Sequence, residues 1–231
     1  MRNENCKKEE WVDRLIEYAE AKGLKDYSDE RPYGFPNDRE RLLSMTELRL
    51  SQFDLDELSP EIGNLTNLTW LDLQENSFTT LPPEIGKLAN LTGLDLMWNG
   101  CLTQLPPEIG NLTKLTYLNL ELCRDLRTLP AEIGKLTNLT RLNLSYCTSL
   151  TALPPEIGNL TNLTHLSLVI EPDNQLTELP PEIGNLTKLV FLGLDFSGFG
   201  IDDLPPSLQQ RVLDGSLSIW QEWNIVKVSV A

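Results

Sequence analysis

A sixteen-residue text, LPPEIGNLTNLTHLSL from Leu153 to Leu168, constrains this chain more than any other feature. Near copies begin at Leu81, Leu105, Leu129 and Leu179, and a looser one begins at Leu58. Self-similarity at a period of about 20 to 50 residues marks a chain made by stacking one supersecondary unit, and no such unit can bury its apolar face alone. Registered on the first leucine of L-x-x-L-x-L, the units start at Met45, Leu68, Leu91, Leu115, Leu139, Leu163 and Leu189, spaced by 23, 23, 24, 24, 24 and 26 residues.

Within each unit a leucine pair such as Leu71 and Leu73, or Leu94 and Leu96, alternates with variable residues. A period of two predicts a strand with one buried face. The Leu-Pro-Pro-Glu-Ile-Gly that follows cannot extend that strand. Its prolines lack ladder donors and can open a single helical turn, which the glycine then limits. Chaining strand, turn and return arm makes successive strands parallel, with right-handed crossovers. Leu118 is then shielded by Leu94 and Leu142 in the neighbouring units. After each strand comes a bend whose key slot holds Asn76 and Asn99, amides able to satisfy bend carbonyls. Phe53, Cys123, Cys147, Glu171 and Ser197 occupy the same slot, so an unbroken asparagine ladder is not predicted. A thiol there is a small inward donor. Strands about 4.8 Å apart also leave a Cys123–Cys147 bridge open beside the reading as free core thiols.

The L-x-x-L-x-L-x-x-N-x-L pattern of LTWLDLQENSF, Leu68 to Phe78, resembles a leucine-rich repeat. The LPPEIGNLTNL arm is similar to the repeats of intracellular scaffold proteins of the Ras-suppressor and Scribble kind and of bacterial repeat proteins. The cysteine-bearing units LELCRDLRTLP and LSYCTSLTALP are more similar to plant immune-receptor repeats and to some plant-pathogen effectors. The match runs from about Met45 to Pro206. It implies an α/β fold: a right-handed solenoid, or horseshoe, with a parallel β-sheet on the concave face and short helical turns on the convex face. Such solenoids mainly bind other proteins. The expected organisation is a helical N-terminal cap over residues 1–44, about seven repeats over 45–206, and a C-terminal cap with a vestigial eighth repeat over 207–231.

Both ends read as caps. Lys7 to Lys22 is predicted as an amphipathic helix with Trp11, Val12, Leu15, Ile16 and Ala19 on one face and Gly23 as its stop. It either hides the open end of the coil or docks a partner. Asn37, with Glu40 three residues on, reads as the N-cap of a short helix through Leu43. Leu42 stands to Met45 as Leu65 stands to Leu68, so this piece is half a repeat. Near the other end, SLQQRVL predicts a helical turn, and Leu217 and Ile219 keep the strand spacing of an eighth unit. Trp220 and Trp223 are expected to cover the last apolar layer, with the IVKVSV tail as an edge strand blunted by Lys227. Two insertions, VIEPDNQ after Leu168 and DFSGFG after Leu194, fall on one rim as surface variation or as specificity loops.

The net charge of −15 disfavours nucleic acid as a partner, because a phosphate-binding surface concentrates Lys and Arg. It suits a basic partner reached by steering. The row Glu61, Glu84, Glu108, Glu132, Glu156 and Glu182 equally reads as a solvated face. No apolar run opens the chain and none is long enough to cross a bilayer, so neither a secretory signal nor membrane insertion is expected and a cytoplasmic location is. The nine N-x-S/T sequons come with the repeated GNLTNLT text. With one histidine, His165, and no P-loop, nucleophile-elbow or HExxH pattern, the chain is read as a non-enzyme that needs no cofactor or metal.

The outward strand positions are the candidate site. One column runs Glu47, Trp70, Gly93, Tyr117, Arg141, His165, Phe191, and the next runs Arg49, Asp72, Asp95, Asn119, Asn143, Ser167, Gly193. A third includes Met97 and Glu121. The column nearest the rim runs Gln52, Glu75, Trp98, Leu122, Tyr146, Ile170, Phe196, five of them apolar or aromatic in succession. Folding gives a solvent-facing column no reason to be apolar, and contiguous patches of this kind mark interaction sites. Alternatively, the rim insertions fold over Ile170 and Phe196. Trp70, Trp98, Tyr117, Tyr146, Met97, Leu122, His165, Arg141, Asp72, Asp95, Phe191 and Phe196 are therefore the expected contacts for a protein or peptide with an apolar ridge and a flanking Lys or Arg. Two further readings stand beside this one: an effector that acts in a host cell by mimicking its repeats, and a regulatory inhibitor of a partner enzyme.

Overall fold

In the computed structural model, residues 10–24, 34–36, 38–169, 175–195 and 201–220 are described. Eight parallel strands form one sheet in strict sequence order. They are β1 (Glu47–Arg49), β2 (Trp70–Asp72), β3 (Gly93–Asp95), β4 (Tyr117–Asn119), β5 (Arg141–Asn143), β6 (His165–Val169), β7 (Phe191–Asp195) and β8 (Ser218–Trp220). Strand, bend and short helical turn repeat unit after unit along this sheet, which makes the chain a solenoid. Leu94, Leu118 and Leu142 are register partners and essentially buried, as the periodicity requires. Pairing of β8 with β7 establishes the eighth strand, and the helix before it, α3 (Pro206–Leu213), covers the predicted SLQQRVL turn.

Each Pro-Glu-Ile-Gly becomes a five-residue 3-10 turn, as at Pro83–Lys87 and Pro107–Asn111. Proline at the first helical position loses nothing, since its missing N–H is an orphan there. The glycine does something other than end the turn. A Cβ on Gly110 would lie 2.6 Å from the carbonyl oxygen of Glu132 in the next unit, and Gly63, Gly86, Gly134 and Gly158 make the same approach. Glycine is there because adjacent turns stack backbone against α-carbon. The GNLTNLT text is likewise structural. Thr92, Thr116, Thr140 and Thr164 donate their hydroxyls to the carbonyls of Thr69, Thr92, Thr116 and Thr140 in the preceding units. Asn90, Asn138 and Asn162 donate their amides to Thr66, Thr113 and Thr137.

At the N-terminal end, α1 (Glu10–Ala21) buries Val12, Leu15 and Ala19. It stops in a Schellman arrangement: Leu24 N–H bonds Ala19 O, Gly23 N–H bonds Glu20 O, and Gly23 has φ +69°. Tyr18 donates to the Glu57 carbonyl, Arg14 pairs with Glu61 and Lys22 with Asp56, fastening α1 against the first repeat. The next helix, α2 (Arg39–Ser44), is capped by Asp38, whose carboxylate accepts from Arg41 N–H. The expected cap, Asn37, lies outside the described residues. Asp38 holds the position because the helix begins one residue later than the capping pattern suggested.

The bend slot is satisfied by two chemistries. Asn76 donates to Leu50 and Leu73 carbonyls, and Asn99 to Leu73 and Leu96. Cys123 and Cys147 are free thiols that donate to Leu96 and Leu120 carbonyls. Burial pushes the Cys123 thiol up to about 12 and Cys147 well above its ordinary value.

Candidate recognition surface

Strands of three residues, lengthened to five only in β6 and β7, leave little of the outward face on the sheet proper. Trp70, Tyr117, Arg141, His165 and Phe191 stand on strands in one column, as the alternation requires. They do not form an even row. The Trp70 indole lies across Gly93, where a Cβ would meet its Cε3 at 2.1 Å, and stacks on Tyr117 with centroids 5.5 Å apart. His165 stacks on Phe191 at 5.9 Å and shares a hydrogen bond between Nδ1 and the Thr164 hydroxyl. Exposed Arg141 sits between the two aromatic pairs.

The second column has a role that the sequence did not disclose. Asp72, Asp95, Asn119 and Asn143 each accept a hydrogen bond from the backbone N–H two residues on, those of Gln74, Met97, Glu121 and Ser145. These Asx-type bonds turn the chain out of each strand. Asn119 also donates to Asp95, and Asn143 to Glu121. Asp95, expected at the contact surface, is only 5% exposed, and the Tyr117 hydroxyl hydrogen-bonds its carboxylate. Burial raises its pKa above the ordinary carboxylate value against the Met97 N–H bond, and nearby Asp72 raises it further. Burial, with Asp95 beside it, likewise pushes Tyr117 up to about 12. Asp95 is thus a buried anchor of the strand end, correcting its expected place on the open face. Asp72 stays half-exposed.

The rim column needs a larger correction. Gln52, Glu75, Trp98, Leu122 and Tyr146 are not extended strand residues. Each lies in a turn with left-handed backbone, at φ 65°, 52°, 61°, 61° and 60°. That conformation lets the interstrand ladder run on past the strand: Glu75 N–H bonds Met97 O, Trp98 N–H bonds Glu121 O, and Leu122 N–H bonds Ser145 O. The fold therefore dictates the backbone at this position in every one of these units. It does not dictate the side chain, because glycine or asparagine occupies left-handed space at least cost. The slot of Asn76 and Asn99 announces a bend directly after these residues, but nothing in the linear text signals their left-handed backbone, since none of the five is Gly or Asn.

Trp98 is 50% exposed, beside half-buried Met97, Leu122 and Tyr146. Phe196 and Ile170 lie outside the described residues, as does most of each inserted rim segment, 170–174 and 196–200. Trp98 also walls an open hollow of about 430 Å³, whose other lining residues include Gln52, Asp54, Glu75 and Ser77. Among the described residues no group of three or more His, Cys, Asp or Glu could hold a metal, and no helix is long and apolar enough to cross a membrane.

A family model described as a leucine-rich repeat region matches residues 94–203, and one described as a leucine rich repeat matches residues 67–88. No curated protein matches the chain. Among solved structures, it is similar to the leucine-rich repeat protein LIC12759 of Leptospira interrogans, at TM-score 0.62 and 30% identity, covering 81% of this chain and 51% of that one. The present chain thus spans about half the length of that protein. It is also similar to the leucine-rich repeat domain of the type III effector XopL, at TM-score 0.55 and 26% identity, covering 75% and 70% of the two chains.

Proposed function

We propose that this chain, which belongs to the leucine-rich repeat family, is a non-enzymatic recognition module that engages a protein or peptide along its concave face and the adjoining rim. One observation carries the reading. Trp98, Leu122 and Tyr146 are bulky apolar residues at three successive left-handed turn positions, and Trp98 is half-exposed. A non-glycine residue in this region of φ/ψ space costs of order 1 kcal/mol, and such costs gather at binding sites. Exposed tryptophan and tyrosine are also the side chains that dominate binding energy at interfaces. The stacked Trp70–Tyr117 pair gives the surface a second, stiff aromatic element.

Trp98→Asn relieves the left-handed backbone, so the variant should melt at or above the wild-type temperature while losing its partner. Affinity purification from the source organism with wild-type and Trp98→Asn baits, compared by mass spectrometry, measures this. A partner set unchanged by the substitution overturns the proposal.

The likeness to the type III effector domain supports a second reading, delivery into a host cell. A translocation assay with a reporter fused to the full chain tests it, and strict retention in the producing cell removes it.

A further inference from the structure

We infer that the rim hollow beside Trp98 is a socket for an arginine side chain carried by a basic peptide segment of the partner, an inference that rests on the recognition reading above. The hollow spans three units. Trp98 provides one wall as an exposed indole, Glu75 comes from the preceding turn, and Asp54 from the turn before that. Asp54 is held by the Ser77 hydroxyl at 3.1 Å, which orients one carboxylate oxygen. Glu75 is exposed and forms no ion pair among the described residues.

Among the described residues no Lys or Arg lines the hollow. The charged groups that line it are the Asp54 and Glu75 carboxylates. The hollow lies on a chain of net charge −15, which draws cations towards it.

Arginine fits this socket better than lysine does. A planar guanidinium can stack on the Trp98 face and present its edge to the Glu75 carboxylate, combining cation–π attraction with charge-assisted hydrogen bonds. An ammonium group makes only a point contact. The rest of the peptide then runs along Leu122 and Tyr146, so the recognised segment is an arginine followed or preceded by apolar residues.

The test is selection of phage-displayed random dodecapeptides on the full chain at low ionic strength. The enriched sequences are synthesised and titrated against wild type, Trp98→Asn and Glu75→Gln, with melting curves confirming that each variant is folded. The expected peptides carry arginine beside apolar residues. Replacing that arginine by glutamine, or Glu75 by Gln, should each weaken binding about threefold or more, and together less than multiplicatively. Affinity should fall as NaCl is raised. Peptides that need Trp98 but carry no basic residue, or a dissociation constant indifferent to Glu75→Gln, overturn the arginine socket and leave the recognition surface standing. Enriched peptides indifferent to Trp98→Asn, or no enrichment at all, overturn both.

Discussion

The bend slot allows a prediction in which one substitution, made at two equivalent positions, has unequal cost. Asn76 and Asn99 are both almost fully buried and both donate to carbonyls of their own and the preceding unit. Their acceptor oxygens differ. Asn76 Oδ1 accepts from the buried Leu55 N–H at 2.9 Å, whereas Asn99 Oδ1 is buried with no donor among the described residues. Cysteine already fills this slot in the next two units, where each thiol donates to the preceding unit.

Asn99→Cys therefore gives up one donated hydrogen bond, about 0.5–1.5 kcal/mol, and removes an orphan acceptor whose burial costs a comparable amount. Its stability should stay within about 1 kcal/mol of wild type. Asn76→Cys likewise gives up the donation within its own unit, to Leu73 and Gln74 carbonyls, and it strands the Leu55 N–H, a further penalty of about 1–3 kcal/mol. It should be less stable than Asn99→Cys by at least about 1 kcal/mol. Urea unfolding under reducing conditions, followed by circular dichroism and tryptophan fluorescence to check that the transitions coincide, measures both. Hydrogen exchange at the Leu55 amide should accelerate in Asn76→Cys alone. Equal costs at the two sites, or a larger one at Asn99, would refute the claim that the orphan acceptor separates them.

Gly93→Ala should lift the Trp70 ring from Tyr117 and cost about 0.5–1.5 kcal/mol. In a Trp70→Ala background it should instead be neutral or stabilising, because alanine loses less backbone entropy than glycine; a double-mutant cycle reads the difference. Asp95 has a folded-state pKa raised by burial, so it binds a proton more readily folded than unfolded. Its contribution to stability thus declines as pH rises from the unfolded to the folded pKa. Asp95→Asn, the amide that the next two units carry, should abolish that part of the pH dependence and stabilise the protein at pH 7, as melting temperatures across a pH series will show. Cys101 is exposed while Cys123 and Cys147 are buried with raised pKa values. Thiol labelling at pH 8, mapped by mass spectrometry, should therefore modify Cys101 at once and the other two only on unfolding.

The coil itself was legible in the linear text because its rules are local and repeated. Period-two leucines, Pro-Pro and a spacing near 24 residues act within one unit, and each copy restates them. The strands at Trp70, Gly93 and Tyr117, the 3-10 turns and the thiol at the bend could be anticipated for that reason. What stayed hidden depends on one unit meeting the next. Gly110 reads as a turn terminator until the Glu132 carbonyl is seen against it, and Gly93 reads as a gap in an aromatic column until the Trp70 ring fills that gap. Asp95 reads as an open-face charge because alternation assigns a side but not a depth, and the neighbouring Tyr117 and Asn119 close over it.

The rim shows the division most clearly. Which residues come after each strand is written in the chain, and their apolar run from Trp98 to Tyr146 can be read without coordinates. That they sit on left-handed backbone, with Trp98 exposed above a hollow shared with Glu75 and Asp54, follows from pairing between units. A ladder that must continue past the strand sets their φ angles whatever side chains they carry. Repetition therefore announces the solenoid one unit at a time, while the surface it offers to a partner arises only where units touch.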